Sequence, residues 1–186
     1  MSATTILQYD QSVKACKDIF IKKTHDYGTS WRSLRIISIT DQIFIKAMRI
    51  RTIQEKKVQK VGDDITAEFK GIVNYGIIGL IQLSIGNAMV EDMTLSSVEK
   101  AYDIHSDLAK QTMLDKNHDY GEAWREMSQE SFVDLIITKL SRIKQILAND
   151  GKTMISEGID ANFIDIINYA VFGLILINEG KPGHQA

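Results

Sequence analysis

Apolar residues along the chain recur every three to four positions rather than alternating, the spacing of helices with one buried face. The pattern predicts six helical segments, at about 4–24, 39–57, 64–89, 95–117, 130–148 and 160–178. The first and fourth are amphipathic. Each ends at a His-Asp-Tyr-Gly turn, in which Gly28 or Gly121 supplies the left-handed conformation that closes a helix. The third and sixth are almost wholly apolar, but they are too long and too free of turn residues to be strands, so they read as buried helices. The run from Gly71 to Val90 carries no charge and is long enough to cross a bilayer. Asn74, Gln82, Ser84 and Asn87 interrupt it, which favours a central core helix over a membrane span. Thr40 or Asp41 is the expected cap of the second helix and Asp63-Asp64 of the third. Ser128 or Ser131 is expected to cap the fifth, and Asp160 the sixth. The sole proline, Pro182, lies beyond the last helix.

The six segments are two copies of three. Lys23-Thr24-His25-Asp26-Tyr27-Gly28 returns 93 positions later as Lys116-Asn117-His118-Asp119-Tyr120-Gly121. Trp31-Arg32 returns as Trp124-Arg125. Asp41, Lys46, Arg49 and Ile50 return as Asp134, Lys139, Arg142 and Ile143, and Tyr9-Asp10 as Tyr102-Asp103. With one residue inserted, Phe69, Asn74-Tyr75 and Gly79-Leu80 match Phe163, Asn168-Tyr169 and Gly173-Leu174. Between Lys22–Ile53 and Asp115–Ile146, 14 of 32 positions are identical, where average residue usage gives about two. The chain is therefore expected to be all-α: a tandem duplication of a three-helix unit forming a pseudo-twofold bundle. Repeats at 1–93 and 94–180 pack as one domain, followed by a tail at 181–186. Gly79 and Gly173 sit at equivalent places on the third helix of each copy. Since a helix-interior glycine costs about 0.5–1 kcal/mol relative to alanine, the pair predicts a close approach of those helices at the pseudo-twofold.

Composition narrows the function classes. A net charge of −2 offers no broad basic field for long nucleic acid, though a local cationic pocket for a small anion is compatible with it. The one cysteine, Cys16, excludes an internal disulfide and reads as a small buried hydrophobe. The N-terminus lacks a basic stretch followed by an apolar run. These features lead us to expect a cytoplasmic protein with a small-molecule partner and no membrane, for which a homodimer is one open assembly.

The retained residues are His, Asp, Tyr, Trp, Arg, Lys and Asn, whereas apolar positions drift, as Phe44 does to Ile137. Lys46 and Arg49, and likewise Lys139 and Arg142, are three apart on a helix and project from one face. A point charge beside a planar fork suits phosphate. A solvated, ion-paired face is the alternative. On the third helices, Asn162, Asp165 and Asn168 form a polar stripe whose counterparts are Glu68, Gly71 and Asn74. Glu68 and Asp165 brought together across the pseudo-twofold would supply two carboxylates for Mg²⁺, which takes oxygen ligands. Asn74 and Asn168 would complete that site, or else only cross-link buried helices. His25/His118 and Asp26/Asp119 are candidates for proton transfer or phosphate sensing, with His118 and Asp119 as the catalytic pair, or for helix capping alone.

These motifs resemble those of the nucleotide modification associated domain 1 family, once per repeat. The matching elements are His-Asp-Tyr-Gly-x-x-Trp-Arg, then Asp-x-x-x-x-Lys-x-x-Arg-Ile, then Asp165-Ile166-Ile167-Asn168-Tyr169. More distantly, the helical layout and the Asp-x-x-Asn of the third helix look like the MazG-like all-α nucleoside triphosphate pyrophosphatases. That resemblance implies Mg²⁺ held by Glu and Asp on paired helices and cleavage between α and β phosphates. The chain departs from the pattern on its second helix, where Asp41 is followed by Phe44 and Asp134 by Ile137 instead of Glu-x-x-Glu. The expected function is therefore Mg²⁺-dependent hydrolysis of a nucleoside triphosphate or modified nucleotide between the repeats. A non-catalytic nucleotide-binding module and a ligand-free helical interaction protein stand as alternatives.

Overall fold

The computed structural model describes residues 3–57 and 64–181. Its helices are α1 (Ala3–Tyr27), α2 (Ile36–Lys56), α3 (Ile65–Ile85), α4 (Leu95–Tyr120), α5 (Gln129–Ala148) and α6 (Ile159–Asn178). Short 3-10 turns, Ser30–Ser33 and Ala123–Glu126, precede α2 and α5. No strand occurs among the described residues. The two central helices, α3 and α6, pack on each other and both on α1 and α4, with α2 against α3 and α5 against α6. One flank is formed by α1 with α4, the other by α2 with α5. The pseudo-twofold thus relates α1, α2 and α3 to α4, α5 and α6.

Two reciprocal contacts fix the central crossing. A Cβ added to Gly79 would lie 2.8 Å from the Phe163 ring, and one added to Gly173 would lie 2.9 Å from the Phe69 ring. Each repeat's phenylalanine therefore rests on the other repeat's glycine. Both rings are fully buried, which stabilises by about 1.5–3 kcal/mol per ring. The expected close approach of the third helices is realised in this way. By length and composition α6 is apolar enough to cross a membrane, yet 78% of its most apolar window is buried inside the protein.

The helix starts show where local signals sufficed. Asp64 caps α3 by accepting from the Ala67 amide at 2.8 Å, and Ser128 caps α5 by accepting from Ser131 at 3.2 Å. Asp63 lies outside the described residues. Two expected caps are corrected. Helix α2 begins at Ile36 behind Arg35, which makes no side-chain cap, and Thr40 instead bonds the Ile36 carbonyl one turn inside. Burial of Ile39 and Ile43 along the same face extends the helix towards its N-terminus without a capping side chain. Helix α6 is preceded by Gly158, and Asp160 lies in the first turn, where its charge complements the helix dipole.

Candidate functional site

The polar residues shared by the repeats separate into those that join the halves and those that line clefts. Asn168 belongs to the first group, and Asn74 to both. The Tyr102 hydroxyl donates to Asn74 Oδ1 at 2.8 Å, and Asn74 Nδ2 donates to the Cys16 carbonyl at 3.0 Å. Symmetrically, Tyr9 donates to Asn168 Oδ1 at 2.7 Å, and Asn168 Nδ2 donates to the Ala109 carbonyl at 3.1 Å. Each asparagine clamps the first helix of its own repeat and receives a hydroxyl from the other. Burial first, and then nearby negative groups, push both tyrosines above their ordinary range, so they remain donors. Both amides thus act as buried cross-links through their oxygen and one N–H. The same exchange recurs at the surface. Lys17 pairs with Asp103 at 2.6 Å and Lys110 with Asp10 at 2.7 Å, while Lys144 pairs with Asp41 at 2.7 Å.

The arginine of each Trp-Arg, too, is structural. Arg32 binds Asp92, Gln82 and the Gly86 carbonyl beyond the end of α3. Arg125 binds Glu122, Glu179, Thr5 and Gln8. Gln8 and Arg125 hold the Glu179 carboxyl below the usual carboxylate range against the opposing effect of burial.

Three of the four phosphate-binding candidates, Lys46, Arg49 and Lys139, are occupied by carboxylates of their own repeat, and Arg142, among the described residues, is not. Lys46 reaches Glu68 at 3.2 Å, and Arg49 also bonds Glu68. In the second repeat, Lys139 and Lys116 both lie 2.5 Å from Asp165. Partial burial opposes the charge of Lys116, but the hydrogen bond and charge of Asp165 outweigh it and raise its pKa. Glu68 and Asp165 are therefore not joined in one composite site. The physical reason lies in the stripe. Gly71 leaves room for Lys46, whose Cε would lie 2.8 Å from a Cβ there, so Glu68 reaches the lysine from one turn earlier. Asp165 occupies the place of Gly71 and meets Lys139 directly. Two acidic oxygens already engaged by two cations in each repeat do not form a Mg²⁺ cage by themselves. Among the described residues there is no group of three His, Cys, Asp or Glu that could hold a metal ion.

His25, Asp26, His118 and Asp119 are exposed, and His118 Nδ1 lies 3.1 Å from Asp119 Oδ1. Helix α1 continues through His25 to Tyr27, so positions 23, 24 and 27 share a face that positions 25 and 26 do not. Lys23, Thr24 and Tyr27 line a cleft of about 350 Å³, and His25 and Asp26 do not.

That cleft belongs to the first repeat alone. Its walls include the aromatic rings of Phe20, Tyr27, Trp31 and Tyr75, and its charged groups are Lys23, Lys46, Lys70 and Glu68. Lys46 Nζ lies 6.0 Å from the Tyr75 ring centre. Trp31 Nε1 is buried without an acceptor. The second repeat carries bulkier side chains at the equivalent positions. Phe172 stands where the first repeat has Ile78 and stacks on Trp124 with ring centres 4.2 Å apart, and Asp165 stands where the first has Gly71. Sequence reasoning passed over Lys70 and Tyr75 as site residues. Lys23 and Lys116 carried a signal, since both precede the repeated His-Asp-Tyr-Gly at the same spacing.

Comparison with known proteins adds a family. The family model described as nucleotide modification associated domain 1 matches residues 23–83 and, a second time, 116–177. No curated protein and no solved structure matches the chain.

Proposed function

The chain belongs to the nucleotide modification associated domain 1 family, and we propose that it binds one nucleotide per chain in the first-repeat cleft. The observation that carries this reading is the pairing, in one cleft of about 350 Å³, of an aromatic wall with three lysines against a single glutamate. Ligand pockets typically run from about 300 to 1,000 Å³, mostly apolar with a few placed polar groups. Trp31, Tyr27 and Tyr75 offer faces for a base. Lys23, Lys46 and Lys70 offer charge to phosphates. Phe172 stacked on Trp124, and Asp165 in place of Gly71, support one site per chain.

Thermal shift and calorimetry with a panel of nucleotides test this. Saturable binding at one per chain is expected. Gly71→Asp, which copies the second repeat, is expected to remove it, because its Cβ meets Lys46 and its carboxylate takes the lysine. Absence of binding by every nucleotide in the panel defeats the proposal.

Hydrolysis of that nucleotide with Mg²⁺ is the second reading, supported by the MazG-like resemblance. One observation favours it: Glu68 is a nearly buried carboxylate on the cleft wall, where incoming phosphates compete for Lys46 and Arg49. Pyrophosphate or phosphate release in Mg²⁺ but not in chelator would support it; binding without release leaves a binding module.

A further inference from the structure

The repeats differ at one position that alters charge pairing. Glu68 faces Arg49 in the first, whereas the equivalent residue in the second is Asn162, paired by position with Arg142. An amide cannot neutralise a guanidinium. Asn162 donates its Nδ2 to the Gly158 carbonyl at 2.7 Å, and its Oδ1 has no donor although the residue is only 3% exposed. A buried acceptor of this kind is costly to leave unmade. Arg142 is exposed, and among the described residues no carboxylate pairs with it. Its electrostatic neighbour is the Tyr169 phenol.

Asn162 and Arg142 line the same cleft, of about 610 Å³, between α5, the start of α6 and the loop joining them. Lys152 adds a second cation from the loop and Glu157 a carboxylate, which also acts on Lys116. None of these residues lines the first-repeat cleft.

We propose that this cleft is a second ligand site, for a small phosphorylated sugar. Arg142 and Lys152 hold the phosphoryl group, and a sugar hydroxyl donates to Asn162 Oδ1. The planar guanidinium suits phosphate oxygens. Two cations against the one carboxylate, Glu157, leave a small positive excess, suited to one phosphoryl group rather than a triphosphate chain. The buried acceptor demands a donor on the same molecule, which a sugar supplies.

Calorimetry of the full chain with ribose 5-phosphate tests the proposal. Saturable binding is expected, weakened roughly 10- to 100-fold by Arg142→Ala, as for loss of a charged hydrogen bond. Arg142 is exposed, so this variant leaves the core intact. Asn162→Glu, which gives the second repeat the first repeat's residue, is expected to remove binding while thermal melting confirms the fold. Lys46→Ala is expected to leave ribose 5-phosphate binding unchanged and to weaken nucleotide binding, which separates the two sites. The proposal is overturned if ribose 5-phosphate does not bind, if Arg142→Ala binds it as well as the parent, or if Lys46→Ala alone removes it. Equal affinity for inorganic phosphate overturns the role given to Asn162.

Discussion

Replacing Gly173 by alanine tests the central crossing, because two effects of known size oppose each other there. Alanine in a helix interior is favoured over glycine by about 0.5–1 kcal/mol. Its Cβ, however, would lie 2.9, 3.0 and 3.2 Å from three atoms of the Phe69 ring. Phe69 is fully buried on a central helix, so the ring cannot swing into solvent. Inserting a methyl into such a core typically costs about 1–3 kcal/mol. The net expectation is destabilisation of about 0.5–2 kcal/mol, a fall in Tm of about 1–8 °C for a chain of this size. Chemical denaturation gives the free energy and calorimetry the Tm. The cause is isolated by repeating the substitution in a Phe69→Leu background. There the methyl has space, and Gly173→Ala is expected to be neutral or stabilising, a coupling of about 1–2 kcal/mol. If Gly173→Ala stabilises the parent by the propensity difference alone, the Phe69 contact does not govern the helix approach and the reasoning fails.

Asp165→Asn is expected to cost about 3–5 kcal/mol, since it leaves Lys139 buried without its carboxylate. A loss below 1 kcal/mol in urea unfolding would show that Lys139 finds water instead. Cys16 is fully buried and its thiol is pushed up to about 12, chiefly by desolvation. A thiol reagent at pH 8 is therefore expected to modify it only after unfolding, and rapid labelling of the native protein would contradict its placement. Asp92 is held below its ordinary pKa by its hydrogen bond from Arg32, with burial opposing, and Glu179 is lowered as described above. A depressed carboxyl stabilises the fold above its unfolded pKa, and that contribution disappears as pH falls through the folded value. Melting curves from pH 7 to 3 should show Asp92→Asn less stable than the parent at neutral pH, with the gap closing in acid. A gap that widened in acid would reverse the sign of this linkage.

How much of this was legible beforehand varied with the range of the interaction. Helical periodicity, the duplication and the caps at Asp64 and Ser128 depend on residues within one or two turns of each other, so sequence alone determined them. The glycine pair also announced a close crossing, because one chain carries the same exception twice; that the phenylalanines fill it came from the structure. Partner choice between helices was not local. Asn74 and Asn168 could equally have served a site alone. Only the rotation of α3 and α6 about the pseudo-twofold turns each amide towards the other repeat's tyrosine. Glu68 and Asp165 were likewise a matter of partner choice, since each is engaged by the cations of its own repeat. The difference between the clefts was written in Gly71 and Ile78 against Asp165 and Phe172. Sequence alone read Gly71 against Asp165 as part of a shared carboxylate site and attached no meaning to Ile78 against Phe172. Tertiary packing decided that one pair leaves a cleft open and the other sets Phe172 on Trp124, because side-chain volume acquires meaning only when the facing wall is in place.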